Sequence, residues 1–336
     1  TLESTMARLA ILTLFMGQTR NRFLQYQQPR TILEILDMAG RTEGCEGVEL
    51  RYPGDLADPK AVKSALERNN LGIAAINFAS VRGDRWLRGA GSARKFWPKR
   101  LRGAWSSTKP GERRAAVDDF KRCIDLAREL GAPRITNCPL NDGIDYAFEL
   151  DFARAYETAA ECFAEIADHD PSFPICIEYK ISEPRVRSLL GNAGETAAFC
   201  QIVNRDNLGV TLDVGHALFA NENASQSAAL LAKARRLFYV HLNDNDGRAD
   251  WDLLPGAVHP WELIEFLWTL KRLGYDDWMT FDIVPKEAEP VEFFATAARL
   301  TRKYESLSQR IDAPRMEALQ LANNPSQTIG YVHTLA

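Results

Sequence analysis

The 336-residue chain is predicted to be an α/β protein, a closed (β/α)8 (TIM) barrel with a long loop after the third strand and a C-terminal extension. Three observations lead there. Short β-branched runs alternate throughout with amphipathic helical patterns, the rhythm of buried parallel strands joined by crossover helices. Eight such units follow one another without interruption, which suits a closed barrel better than an open sheet. The first strand is followed by Gly17-Gln-Thr-Arg20, not by the G-x-G-x-x-G turn of a doubly wound nucleotide-binding sheet.

Taken in order, the strands are expected near 9–16, 46–51, 71–78, 133–138, 174–180, 207–213, 236–243 and 278–284. The helices are expected near 29–41, 59–69, 112–130, 150–168, 194–204, 224–235, 260–273 and 291–310. Pro59 and Pro260 suit first helical turns, and Gly131 and Gly274 suit C-terminal caps. The barrel is assigned to residues 1–311. Residues 312–336, punctuated by Pro314 and Pro325, form an extension expected to pack on a neighbouring barrel or subunit.

Composition narrows the function. With 46% hydrophobic residues the chain can bury a large core. A charged fraction of 26% and a net charge of -4 argue against wholesale binding of nucleic acid or anionic membrane. Six scattered cysteines without a C-x-x-C pair read as buried thiols in a reducing compartment. No apolar run approaches the roughly 20 residues of a membrane span. Ala7 to Met16 imitates a signal-peptide core, but it lacks a basic leader and runs into Gln18-Thr-Arg-Asn-Arg22. A cytoplasmic homo-oligomer is expected.

The segment 81–114 exceeds what the barrel needs. It carries eleven basic residues against two acidic ones, with Trp86, Trp97 and Trp105. Loops of this length in compact domains are usually lids, binding loops or disordered, and strand-to-helix loops emerge on the catalytic face of such barrels. Arg82, Trp86 and Trp105 are therefore candidate substrate contacts; a solvated basic face or a subunit contact is the competing reading.

Four apolar runs die into ligand-type groups: Glu178 after strand five, Asp213 after strand six, His241 after strand seven and Asp282 after strand eight. All C-termini of a barrel's strands share one face, so the four ring its mouth. Three carboxylates crowded together repel and raise one another's pKa; a divalent cation removes that penalty. The set suits Mn²⁺ foremost, with Mg²⁺, Co²⁺ or Zn²⁺ as alternatives. His216 follows Asp213 by three residues, and Asp250 and Asp252 share one side of an extended segment. They are candidates for a second cation, with Asp213 able to bridge. Lys180, two residues after Glu178, faces the same mouth and can hold a substrate oxygen.

Glu-x-Lys on strand five, Asp-x-x-His on strand six and Asp-x-Asp after strand seven resemble the xylose-isomerase-like sugar isomerases and epimerases. The pairing of His241 with Asp282 most resembles the bacterial L-rhamnose isomerase branch. The specific likeness spans about 174–285. It implies a structural metal on Glu178, Asp213, His241 and Asp282, and a more mobile one on His216, Asp250 and Asp252. It also implies a substrate contact from Lys180; Glu178, Lys180 and Asp282 are expected to carry catalysis. One departure is that sugar isomerases of this type commonly open the sugar ring with a histidine from an early strand. Here the first histidine is His169, near a helix end, and the early strand ends offer Glu49, Arg51, Asn77, Asn137 and Cys138. Glu49, Asn77 and Asn137 are taken as substrate contacts, with ring opening falling to Glu49 or to no residue.

The expected activity is aldose–ketose isomerisation of a small sugar or sugar derivative by a metal-assisted hydride shift or an enediol. A one-metal keto-sugar epimerase or keto-glycoside lyase is the alternative. The shorter Asp282 counts against it, because such epimerases usually pair glutamates on strands five and eight. A metal-dependent endonuclease of the same fold would draw on the basic loop, but five histidines are too few for its trinuclear zinc site.

Overall fold

A computed structural model of the chain describes residues 7–20, 23–79 and 102–335. Eight parallel strands close a barrel in chain order. They are β1 Arg8–Leu12, β2 Gly47–Tyr52, β3 Gly72–Phe78 and β4 Ile135–Asn137, then β5 Ile175–Glu178, β6 Leu208–Asp213, β7 Leu237–Leu242 and β8 Trp278–Phe281. β8 returns to β1, with Arg8 opposite Trp278 and Ile11 opposite Phe281.

Eleven α-helices lie among the described residues: α1 Ile32–Ala39, α2 Pro59–Arg68, α3 Pro110–Leu130, α4 Phe152–His169, α5 Ala193–Val203 and α6 Val214–Phe219, then α7 Ala224–Lys233, α8 Pro260–Arg272, α9 Pro290–Gln309, α10 Ala313–Leu321 and α11 Pro325–His333. None is long and apolar enough to cross a membrane.

Strand alternation builds two cores from each strand. On β6, Leu208, Val210 and Leu212 face the helices and join the large outer core, while Thr211 and Asp213 alternate with them onto the other face, inside the barrel. The barrel interior holds a second, smaller cluster of Ala10, Ala74, Ala75, Cys176, Tyr239 and Trp278. Trp278 plugs its N-terminal end. A Cβ on Gly47 or Gly72 would come within 2.6 or 2.8 Å of the Trp278 ring, and Arg8 stacks on the ring's other side at 4.1 Å. These two glycines are what let a full indole close the barrel.

Two boundaries differ from expectation. The strand expected over 9–16 ends at Leu12, and Thr13–Met16 form a 3-10 turn. There the Thr13 hydroxyl is drawn sideways to the Glu49 carbonyl at 3.0 Å and the Asp55 carboxylate at 2.5 Å. α6 starts directly at the end of β6, because the Asp213 side chain accepts the His216 N–H at 2.7 Å and caps the turn. The extension lies on α8 of its own barrel: His333 stacks on Trp261 at 4.2 Å, and Arg272 pairs with Glu317 at 3.3 Å.

Candidate active site

The C-terminal ends of β5, β6, β7 and the segment after β8 bring Glu178, Asp213, His241 and Asp282 together. One ligand atom from each lies within 4.8 Å of all the others. All four were anticipated from the strand ends. Their register explains the convergence: Glu178 sits opposite Thr211, and Asp213 opposite His241.

The cluster is polarised around one ring nitrogen. His241 Nδ1 lies 3.3 Å from Asp282 Oδ2, 3.5 Å from Glu178 Oε1 and 3.7 Å from Asp213 Oδ2, yet it makes no hydrogen bond. A wholly buried nitrogen facing three carboxylates without a hydrogen bond to any belongs to a donor set of the kind that holds a cation. The other ring nitrogen fixes the tautomer. His241 Nε2 stands 2.9 Å from Glu49 Oε2. Burial opposes the charge on Glu49, but His241, Asn77 and Tyr239 outweigh it and hold its pKa low. A carboxylate only accepts, so Nε2 carries a hydrogen, and Nδ1 is the nitrogen turned to the cluster.

Electrostatics show what the protein alone leaves unresolved. Burial, with Glu178 and Asp213 adding, pushes the Asp282 carboxyl up to about 7. Burial works against a charged His241, but Glu49 and Glu178 outweigh it and raise its pKa well above the ordinary imidazole range. Both shifts have one cause, negative charge crowded into a buried space. Three carboxylates and an imidazole nitrogen fit a divalent ion of the Mn²⁺, Mg²⁺, Co²⁺ or Zn²⁺ class.

The proposed second set is brought together only in part. His216 Nε2 lies 3.1 Å from Asp250 Oδ2. Lys180 Nζ lies 2.7 Å from the same oxygen and 3.1 Å from Glu183. Burial disfavours the Lys180 ammonium, but Asp250 and Asp252 more than compensate and raise its pKa. Burial likewise opposes His216⁺, yet Asp213 and Asp250 lift it to about 10. Asp252 is near enough to Asp250 and Asp282 that burial and their charges raise its carboxyl well above the usual range. The Lys180 ammonium therefore occupies the Asp250 side of this set.

Three expected substrate contacts are corrected by the geometry. Glu49 is 0% exposed and spends its oxygens on Asn77 Nδ2 at 2.8 Å, Tyr239 OH at 2.8 Å and His241. It orients the imidazole from behind and has no face toward a sugar. Asn137 is wholly buried: its Nδ2 donates to the Phe78 carbonyl at 2.7 Å, and its Oδ1 accepts Trp105 Nε1–H at 3.2 Å. Alternation puts it on the opposite face of β4 from Thr136, whose hydroxyl meets Thr211 at 2.7 Å. Trp105 is a core residue among Phe78, Phe120 and Phe163 at 5.0–6.1 Å, not a wall of the site. Asn77, bonded to Glu49, is half-buried. Arg82 and Trp86 lie outside the described residues.

The end of the basic loop is anchored. Asp142 accepts the backbone N–H groups of Ala104, Trp105 and Ser106 at 2.7–3.1 Å. Gly103, at φ +100, permits this; a Cβ there would come 2.6 Å from the Asp142 carboxylate.

Two further residues join the site: Asn243, given no role from the sequence, and Cys138, noted there only as a strand-end group. Asn243 Nδ2 donates to both Asp213 oxygens at 3.1 Å. Its position two residues after His241, on the same strand face, was the available signal. Cys138 joins Glu178 and His216 in a second group of ligand-type atoms within 4.8 Å.

Comparison with known proteins follows the geometry. The family pattern of the xylose isomerase-like TIM barrel matches residues 39–304. Over 323 residues the chain is 26% identical to a probable sugar isomerase of Mesorhizobium japonicum, covering 92% of this chain and 72% of that one. Among solved structures, an L-ribulose 3-epimerase superposes with a TM-score of 0.66 at 16% identity, over 95% of this chain and 99% of that one. The IolI protein with a bound zinc atom superposes with a TM-score of 0.64 at 16% identity, over 90% of this chain and 100% of that one. At such identities the superpositions report a shared fold.

Proposed function

Because the chain belongs to the xylose isomerase-like TIM-barrel family, we propose that it is a divalent-metal-dependent isomerase interconverting an aldose and a ketose. The observation that carries this reading is the buried cluster of Glu178, Asp213, His241 and Asp282 around a hydrogen-bond-less His241 Nδ1. The relative in Mesorhizobium japonicum, a probable sugar isomerase, supports the substrate class.

A divalent cation on these four residues, for which we favour Mn²⁺, supplies Lewis-acid polarisation of a sugar's carbonyl and adjacent hydroxyl oxygens. The remaining work falls to side chains. Lys180, largely buried and held charged by Asp250, presents ammonium hydrogens that can hold a sugar oxygen in place. His216 and Asp250, bonded to each other, form the wall across from Glu178. Asp252 lies in a buried acidic setting where burial and the charges of Asp250 and Asp282 raise its carboxyl well above the usual range. Glu49, Asn243 and Tyr239 hold the ligand set rigid from behind.

One observation favours a second reading. Lys180 Nζ sits 2.7 Å from Asp250, on the position expected for a second cation. A one-cation keto-sugar epimerase or keto-glycoside lyase uses the site in that state. Incubation of Mn²⁺-loaded protein with aldoses, ketoses and keto-glycosides in D₂O, followed by NMR, separates the two. Aldose–ketose interconversion supports the isomerase. Inversion at C3 with deuterium uptake, or glycoside cleavage, replaces it.

A further inference from the structure

Beside the principal cluster a second trio converges. The Cys138 thiol, a Glu178 oxygen and a His216 ring nitrogen lie within 4.8 Å of one another. They come from the ends of β4, β5 and β6. Cys138 directly follows β4, two residues after Thr136, whose hydroxyl meets Thr211 inside the barrel at 2.7 Å. The same alternation that turns Asn137 outward to Trp105 turns Cys138 inward.

His216 supplies the independent observation. Its side chain is 6% exposed, and its Nδ1 has no hydrogen-bond partner. That nitrogen lies 3.3 Å from Glu178 Oε1. The other nitrogen, Nε2, is committed to Asp250 Oδ2 at 3.1 Å, an oxygen that also takes the Lys180 ammonium at 2.7 Å. A carboxylate oxygen only accepts, so Nε2 carries a hydrogen, and Nδ1 is the ring nitrogen turned toward Glu178 and left for a further partner. Histidine ligands held by a carboxylate on the far nitrogen are the usual arrangement at metal sites.

We propose that Cys138, Glu178 and His216 Nδ1 form a thiolate-containing cation site adjoining the principal one, selective for a thiophilic divalent ion such as Zn²⁺ or Co²⁺. The inference rests on the reading that this barrel mouth binds divalent cations. The donor set is one sulfur, one nitrogen and one oxygen. Three protein ligands leave a fourth tetrahedral position open. The principal set of three carboxylates and one imidazole is harder, so the two neighbouring sites sort ions by softness. Binding forms the metal–sulfur bond and releases the thiol proton to solvent. Glu178 belongs to both groups and couples them. This arrangement needs neither Asp250 nor Asp252 as a ligand, and so accommodates the Lys180 ion pair.

The test is a Co²⁺ titration of the chelator-stripped full chain, followed by absorption, with thiol alkylation mapped by peptide mass spectrometry. The expected result is a near-ultraviolet thiolate-to-cobalt charge-transfer band that Cys138→Ala abolishes and Cys45→Ser leaves intact. Zn²⁺ should slow alkylation of Cys138 in the wild type by about tenfold or more, because a metal-bound sulfur is no longer a free nucleophile. Cobalt bound with visible d–d absorption, but without the charge-transfer band or any protection of Cys138, overturns the proposal while sparing the principal site. A charge-transfer band that persists in Cys138→Ala also overturns it. Absence of any cobalt binding overturns both this inference and the metal-dependent function. If Cys138→Ala does not fold, wild-type alkylation decides alone.

Discussion

The two ends of the same eight strands could hardly differ more in what they bury. At the N-terminal end Trp278 fills the barrel, seated on Gly47 and Gly72 and covered by Arg8. There Arg134 donates to the Phe238 carbonyl at 2.8 Å and to Asp277, with only its Nε left unpaired. At the C-terminal end the same strands deliver three carboxylates and two imidazoles, with His216 Nδ1, His241 Nδ1 and Asp250 Oδ1 left without hydrogen bonds. Buried polar atoms are otherwise nearly always paired. One end is filled by an indole and its arginine neighbours, and the other gathers carboxylates and imidazoles of the kind that hold a cation. That division is the one a (β/α)8 barrel uses to separate stability from chemistry.

The comparison can be broken hardest at the open end. Asp213→Asn leaves the volume unchanged but removes a charge shared by His241, His216 and Asn243. Calorimetric titration should show Mn²⁺ affinity falling by more than about 100-fold, beyond the scale of losing an outer-shell partner. Next comes Asp252→Asn. It should leave principal-site occupancy and the fold nearly intact and lower kcat by about 10²–10³, the cost of losing an electrostatic stabiliser. Metal titration and turnover measured together check it; normal turnover favours the one-cation reading. Glu49→Gln removes the carboxylate behind His241 without touching the mouth. It should cost about 10–100-fold in metal affinity, visible by titration, with the circular dichroism spectrum unchanged.

Much of this end was legible in the sequence. Glu178, Asp213, His241 and Asp282 each close an apolar run, and the shared face of the strand ends did the rest. What was illegible lay one layer back. Glu49 meets His241 across 192 residues of sequence, with a register shift in the β2–β3 pairing just before it, so no local pattern announces the contact. Asn137 and Cys138 were equivalent as strand-end polar residues until the Thr136–Thr211 contact fixed which face is inside. Trp105 read as lid because its loop is basic; the Asp142 anchor that folds it into the core is 37 residues away.

At the closed end, Gly72→Ala forces a methyl against Trp278. Overpacking of this kind costs about 1–3 kcal/mol. Chemical denaturation should register the loss while metal affinity and turnover stay at wild-type values. A change in metal affinity would mean that the two ends are coupled.

The smallest expected effect is a pH dependence that a cation should erase. In the metal-free protein burial lifts Asp282 to about 7, and the neighbouring carboxylates lift His216 to about 10. Both folded-state values lie above the unfolded ones, so the folded protein binds more protons. Their stabilisation is complete in acid. It is lost for Asp282 as pH rises through about 7, and for His216 through about 10. Thermal scans of stripped protein should therefore show Tm declining as pH rises through neutrality. Mn²⁺ should abolish the decline through neutrality, because Asp282 must shed its proton to bind.

The most direct test of the central claim is anomalous diffraction at the manganese edge from crystals of the Mn²⁺-loaded protein. The account predicts a peak at the barrel mouth, about 2.0–2.3 Å from an oxygen each of Glu178, Asp213 and Asp282 and from Nδ1 of His241. A mouth with no peak, its carboxylates and imidazole paired only with one another or with water, would contradict it.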